Sequence, residues 1–151
     1  LNHCKRVAEN SFGNEINFIN EFDPSLPRLF ANKNLLIQIV LNLLKNATEA
    51  SQEKGKIKMK TSFNSNKITS FGKEDIPTPL PLQIEIIDFG IGIPRNLLSS
   101  IFDPFVSSKK EGKGLGLSIV ASGLEEMGAV IDVTSNAGLT NFCMNFPLKR
   151  I

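Results

Sequence analysis

The sequence predicts an α+β fold, a two-layer α/β sandwich in which helices cover one face of a mixed, mostly antiparallel sheet. Three observations point there. The run from Lys33 to Glu53 repeats apolar residues at helical period, several shorter runs alternate apolar and polar side chains, and helical and strand-like runs come in blocks instead of alternating one by one.

Leu1 to about Ser11 reads as a short helix. Glu15 to Phe22 reads as a half-buried strand, with Ile16, Phe18 and Phe22 on one side, ended by Asp23-Pro24-Ser25-Leu26-Pro27. In the Lys33–Glu53 helix, Leu36, Ile39, Val40, Leu43, Leu44, Ala47 and Ala50 form the apolar arc, Asn32 suits the N-cap and Gly55 the stop. Lys56 to Phe63 places Ile57, Met59, Thr61 and Phe63 on one face, and Leu82 to Ile87 alternates through Leu82, Ile84 and Ile86, so the two are expected as antiparallel neighbours. Between them Asn64 to Pro81 is polar and carries Pro77, Pro79 and Pro81, which a sheet interior rejects, and reads as a solvated hairpin extension. Pro94 suits a helix start, with a short helix over Asn96 to Phe102 and then a lid-like stretch. Leu115 to Met127 reads as a second amphipathic helix closed by Gly128. Ala129 to Thr134 and Asn141 to Phe146 read as strands joined by a turn at Asn136-Ala137-Gly138.

At 151 residues and 41% apolar content the chain suits one domain with a substantial core. Its 17 basic and 15 acidic residues are interspersed and leave a net charge of +2, which lacks the concentrated basic stripe of a nucleic-acid surface, so no nucleic acid is expected as partner. Cys4, Cys143 and the single histidine, His3, show no zinc-binding spacing. Two free thiols in a reducing, cytoplasmic compartment is the plainer reading, with one disulfide left open. No apolar run approaches the roughly 20 residues of a membrane span and no signal peptide is evident, so no membrane contact is expected. An opening on Leu1 in place of Met reads as an excerpt from a longer protein.

The residues with chemical potential fall in three places. Gln38, Asn42, Asn46, Glu49 and Glu53 share a stripe of the long helix opposite its apolar arc, with Lys45 at the flank. Such a stripe is first a helix's wet face, yet two asparagines four residues apart among better helix formers supply neutral oxygens suited to a magnesium ion that bridges substrate phosphates. Asp88 ends a hydrophobic strand, where an ionised carboxylate requires a donor, and the exocyclic amine of adenine is one. The Phe89-Gly90-Ile91-Gly92-Ile93-Pro94 turn lets backbone pass against a ring, with Ile91 and Ile93 as apolar walls, although a simple β-turn has the same composition. Gly112, Gly114 and Gly116 precede a helix, whose free N–H groups suit phosphate. The cluster matches neither the dinucleotide-binding glycine pattern nor the Walker A loop, since Lys113 is followed by Gly114. Phe102-Asp-Pro-Phe105 can pin the base of a lid, and Lys109, Lys110 and Lys113 can reach phosphate oxygens.

In this order and spacing the elements resemble the ATP-binding catalytic domain of bacterial sensor histidine kinases. Asn42-Leu-Leu-Lys-Asn46-Ala is similar to the family's N box, Asp88-Phe-Gly-Ile-Gly92 to its first glycine box, Phe102-Asp-Pro-Phe105 to its F box and Gly112-Lys-Gly-Leu-Gly116-Leu117 to its second glycine box, and the likeness covers essentially residues 10 to 150. Asp23-Pro-Ser-Leu-Pro27, Asn46-Ala-Thr-Glu-Ala50, the proline-rich insertion and Phe105-Val-Ser-Ser-Lys109 most resemble the nitrogen-regulation branch of that family.

The resemblance implies the Bergerat-type sandwich shared with gyrase, MutL and heat-shock chaperone ATPases, with residues 1–11 as a linker or the end of a preceding dimerisation region and 12–151 as the ATP-binding domain. It implies ATP and magnesium as cofactors. Asn46 takes the metal, Asn42 lies beside it at the phosphates, and Asp88 binds the adenine amine. Gly90, Ile91, Gly92 and Ile93 shape the base pocket, and Phe105, Gly112, Lys113, Gly114, Leu115, Gly116 and Leu117 close the phosphate side. Many relatives carry Lys or Arg where this chain has Glu49, which leaves Lys45 or Lys109 as substitutes, Lys109 with a catalytic part beside Asn42 and Asn46. The hydrolytic branches carry a glutamate base at the position of Asn42; an amide takes no proton from water at neutral pH, so transfer to an acceptor side chain fits better. Asn2-His3-Cys4-Lys5 lacks the surroundings of the family's acceptor histidine, so the acceptor is expected on an absent dimerisation domain of a homodimeric parent, with phosphate passing on to the receiver domain of an NtrC-like response regulator. A superfamily ATPase, a nucleotide-sensing scaffold and a serine kinase of the anti-sigma type remain open as alternatives.

Overall fold

The computed structural model describes residues 1–12, 15–51, 55–71, 76–106, 114–136 and 138–148. In chain order its elements are α1 (Asn2–Phe12), β1 (Asn17–Glu21), α2 (Lys33–Ser51), β2 (Lys56–Phe63), β3 (Ile68–Phe71), β4 (Ile76–Pro79), β5 (Leu82–Asp88), α3 (Arg95–Leu98), α4 (Gly116–Glu126), β6 (Val130–Asn136) and β7 (Leu139–Phe146).

Five strands form one sheet in the order β1-β2-β5-β7-β6. β1 runs parallel to β2 and every other pair is antiparallel, which makes the sheet mixed as expected. The antiparallel pairing of β2 with β5 also agrees with the sequence reading. Alternation sets the two faces: Leu82, Ile84, Ile86 and Asp88 of β5 point inward with their cross-strand partners Phe146, Met144, Phe142 and Thr140 of β7. α2 packs on β2 and β5, α4 packs on α2 and β6, and Ile39, Val40, Leu43, Leu44, Ile57, Met59, Val120 and Met144 are fully enclosed between the layers. Ile87 keeps the alternation by taking the outer face. That face is polar and paired, with Lys60 Nζ 3.1 Å from Glu85, Asn145 bonded to Asp132 at 2.8 Å and Gln83 bonded to Asn145 at 2.8 Å.

Caps fix the ends of both long helices. The Asn32 side chain accepts from the N–H groups of Asn34 and Leu35 at 3.1 and 3.2 Å, as its N-cap position requires. Gly128, at φ 64°, closes α4 with N–H bonds from Gly128 to Glu125 and from Ala129 to Leu124, both 2.9 Å. Gly123 makes room for α2, since a Cβ there would stand 2.9 Å from Ile39 Cδ1 and 3.0 Å from Leu35 Cδ1.

Several boundaries differ from expectation. The N-terminal helix is present as read, and α1 packs on α2 with Cys4 and Ala8 buried in the common core. The short helix after Pro94 is the single turn α3, followed by further turns through Phe105. The proline-rich insertion pairs with itself as the hairpin β3–β4, so Pro77 and Pro79 cost no hydrogen bond of the main sheet. Lys67 at its base reaches across to Asp132 at 2.6 Å. Cys4 and Cys143 are both free thiols. Among the described residues, no helix is long and apolar enough to cross a membrane.

Leu43 is fully enclosed between α2 and the sheet. Leu43→Ala is expected to lower unfolding free energy by about 2–5 kcal/mol in urea titration, the range for a truncated core leucine, and a loss well below that would show that the two layers are not packed as described.

Candidate nucleotide-binding site

The site begins where β5 ends. The alternation that buries Leu82, Ile84 and Ile86 carries Asp88 to the inner face, where it is only 2% exposed on a rung between Ile57 of β2 and Thr140 of β7. Its carboxylate accepts one hydrogen bond among the described residues, from Gly90 N–H to Oδ1 at 3.0 Å. Burial pushes the Asp88 carboxyl above its ordinary value, and the Gly90 N–H offsets only part of this. A desolvated carboxylate with acceptor capacity to spare is a group arranged for an incoming donor.

The glycine turn after Asp88 is clamped on two sides. A Cβ on Gly90 would lie 2.2 Å from the Ala50 carbonyl oxygen, the same oxygen that accepts Ile91 N–H at 3.3 Å, so the turn lies directly on the last turn of α2. Gly92 has φ 78°, a left-handed conformation, and a Cβ there would lie 2.3 Å from the Asn136 carbonyl oxygen at the end of β6. Ile93 N–H then donates to Ser135 Oγ at 2.8 Å. Asn46 and Asn42 stand one and two helical turns before Ala50, both half-buried, so the carboxamides belong to the helix that supports the Asp88 turn. Lys45 is exposed, with Nζ 4.0 Å from Glu49 Oε1. Ile93 is half-buried, whereas Ile91 is 69% exposed.

The second glycine cluster is described only in part. Lys109, Lys110, Gly112 and Lys113 lie outside the described residues. Gly114, at φ 67°, accepts Phe105 N–H at 3.0 Å, and a Cβ on it would stand 2.5 Å from the Phe105 carbonyl carbon. Phe105 also has φ 67° and is 79% exposed, so the F-box residue holds the base of the loop through backbone, not through a packed ring. Phe102, in contrast, meets Phe142 edge-on with centroids 6.5 Å apart. Gly116 opens α4 with nothing within 4 Å of a Cβ, Leu115 is exposed and Leu117 packs against the core.

Ala50, Ser135 and Thr140 join the site without having been singled out from sequence. Ala50 acts through its carbonyl, which no residue type announces. Thr140 and Ser135 flank the β6–β7 turn, and only the register that sets Thr140 opposite Asp88 gives them a place here. Among the described residues no group of three or more His, Cys, Asp or Glu is arranged to hold a metal.

The sequence from residue 31 to 150 matches the family model of the histidine kinase-, DNA gyrase B-, and HSP90-like ATPases. The chain is 40% identical over 149 residues to the sensory histidine kinase/phosphatase NtrB of Azospirillum brasilense, covering 98% of this chain and 37% of that protein, and 36% identical to NtrB of Rhizobium leguminosarum bv. phaseoli, covering 99% and 40%. It thus spans well under half the length of these curated relatives. The catalytic domain of the histidine kinase ThkA, in a nucleotide-free form, superposes with a TM-score of 0.74 at 28% identity, over 97% of this chain and 91% of that one. ThkA in complex with the response regulator protein TrrA matches with a TM-score of 0.71 at 26% identity, over 99% of this chain and 41% of that one. With its sheet order, its buried aspartate and its glycine turns in place, this chain belongs to the family of histidine kinase-, DNA gyrase B-, and HSP90-like ATPases.

Proposed function

We propose that this chain is the ATP-binding domain of a nitrogen-regulation sensor kinase, and that it presents the γ-phosphoryl group of ATP to a histidine on a dimerisation domain outside this sequence. The observation that carries the reading is Asp88: a carboxylate 2% exposed, with a single N–H partner among the described residues, at the start of a glycine turn held against α2 and β6. Adenine fits as the missing donor through its exocyclic amine. Gly90, Gly92 and Ile93 shape the base pocket, with Ile91 at its rim. On the phosphate side Gly114, Leu115, Gly116 and Leu117 lead into α4, whose N-terminal N–H groups favour anionic oxygens. Phe105, Lys109, Gly112 and Lys113 complete that side, with Lys45 as a further cation.

The donor set fits magnesium. Asn46 would hold the ion through one neutral oxygen, a ligand type that suits magnesium, and among the described residues no group of three or more His, Cys, Asp or Glu competes for it. When bound, the ion neutralises triphosphate charge. The chain's own contribution is positioning: Asn46 and Asn42 orient the phosphates and the glycine turns exclude water from the base. The acceptor histidine nitrogen attacks the γ-phosphorus, the bond from that phosphorus to the β-bridging oxygen breaks, and ADP leaves. Asn42 supplies no base for water, which disfavours the rival reading as a stand-alone ATPase.

Residues 12–151 form the catalytic unit in this proposal, and residues 1–11 are the trailing end of the dimerisation region docked on it. The parent is a cytoplasmic homodimer, and the phosphoryl group passes to the receiver domain of an NtrC-like response regulator. The similarity to NtrB and the partner of ThkA support that choice.

Asp88→Asn is expected to abolish Mg-ATP binding in calorimetry, and an unchanged dissociation constant would falsify the adenine assignment. The pH dependence has opposite signs for binding and stability. Since burial raises the Asp88 pKa above 3.8, the folded state holds its proton more tightly than the unfolded one, so nucleotide-free stability falls as pH rises through the raised value. ATP affinity, which needs the ionised form, falls as pH drops through the same window. In the Asn variant the stability trend disappears, and neutral-pH melting stays at or above that of the parent; a large drop in melting temperature contradicts this account of Asp88. Gly90→Ala should lose ATP binding because its methyl meets the Ala50 carbonyl at 2.2 Å, with native affinity counting against the clamp. Asn46→Ala should slow magnesium-dependent phosphorylation of an added dimerisation domain by about tenfold or more, as expected when a group positioning a transferring phosphoryl is lost, and a normal rate would remove its metal role.

A further inference from the structure

The Ser135 hydroxyl joins the Ile93 end of the glycine turn to Thr140 on the Asp88 rung, and nothing in the glycine-box pattern assigns it a part. It accepts Ile93 N–H at 2.8 Å, lies 2.9 Å from Thr140 Oγ1, and has the Leu139 carbonyl at 3.4 Å. A serine hydroxyl offers one proton and two lone pairs. Its proton goes either to Thr140 or to the Leu139 carbonyl, and in both arrangements Ile93 N–H takes one of its lone pairs. Thr140 is 2% exposed and is the cross-strand partner of Asp88, on the same inward face. The neighbouring Gly92 is already pressed against the Asn136 carbonyl, so the turn has backbone contact on this side and, among the described residues, one side-chain hydrogen bond at its exit.

We infer that Ser135 is a positioning residue for purine recognition, holding the Ile93 end of the glycine turn in register with the Thr140–Asp88 rung so that the base pocket is formed before the nucleotide arrives. The inference rests on the nucleotide reading and deepens it. Removing the hydroxyl leaves Ile93 N–H and Thr140 without their shared partner, and the turn then has to be ordered at the expense of purine binding. Contacts at the phosphate side are made by other elements and are untouched.

The test compares Ser135→Ala and the near-isosteric Ser135→Cys with Ser135→Thr, which keeps the hydroxyl. Calorimetry with Mg-ATP is expected to show a loss of about three- to tenfold in affinity for the Ala and Cys variants and near-native affinity for Thr, while binding of magnesium tripolyphosphate, which lacks a base, stays unchanged in all three. In the nucleotide-free protein, amide exchange at Ile93 should be faster in Ala and Cys than in Thr. Should Ser135→Ala fail to fold, the Cys and Thr pair carries the same comparison. ATP affinity within about twofold of native in the hydroxyl-free variants, or a parallel loss for tripolyphosphate, overturns the inference. A native protein that binds no ATP overturns the nucleotide reading instead, and the Ile93 exchange then still decides whether Ser135 holds the turn.

Discussion

A desolvated carboxylate at the end of a central strand is the constraint around which this molecule is arranged. Asp88 lies on the inner face because the alternation of β5 puts it there, and it keeps a cost of burial that a single Gly90 N–H only partly offsets. A fold optimised for stability alone would have another apolar residue at this position, beside Ile57 and beyond Ile86. An ionisable group retained at such a position, with its pKa raised by burial, is the pattern of a functional group more than of a structural one.

The backbone next to that carboxylate is held in place on two sides. The turn that follows is held to α2 through the Ala50 carbonyl and to β6 through Asn136 and Ser135, so glycine at 90 and 92 reflects how near the neighbouring main chain comes, not looseness. α2 therefore does two things at once. Its apolar arc builds the core with β2 and β5, and its last turn sets the height of the Gly90–Gly92 turn, which places Asn42, Asn46 and the support of Asp88 on one helix. The described part of the second glycine cluster is built differently, from paired left-handed conformations at Phe105 and Gly114 and from the N-terminus of α4.

What the sequence disclosed, and what it did not, follows from which interactions leave a periodic trace. The apolar arc of α2, its Asn32 cap, the Gly128 stop and the alternation of β2 and β5 are local patterns, and each appears in the structure with boundaries moved by a residue or two. The parallel pairing of β1 with β2 and the sheet order are long-range facts with no such trace. At the site, Asp88 and the glycines stood out because an acidic residue ending a hydrophobic strand and repeated glycine are locally anomalous. Thr140 and Ser135 did not, since a hydroxyl residue near a β-turn is unremarkable until the register places it opposite Asp88. Ile91 and Ile93 have the same composition cue, an apolar residue beside a glycine, yet one stands largely exposed and the other half-buried, a difference that local sequence does not encode.

The central claim is that Asp88 reads the base of a nucleotide. A crystal structure of this chain with magnesium and a non-hydrolysable ATP analogue tests it most directly. The account predicts the exocyclic amine of adenine at hydrogen-bond distance from the Asp88 carboxylate, with the triphosphate running toward Asn46; a nucleotide seated elsewhere, or an Asp88 carboxylate still lacking any contact with the base, would contradict it.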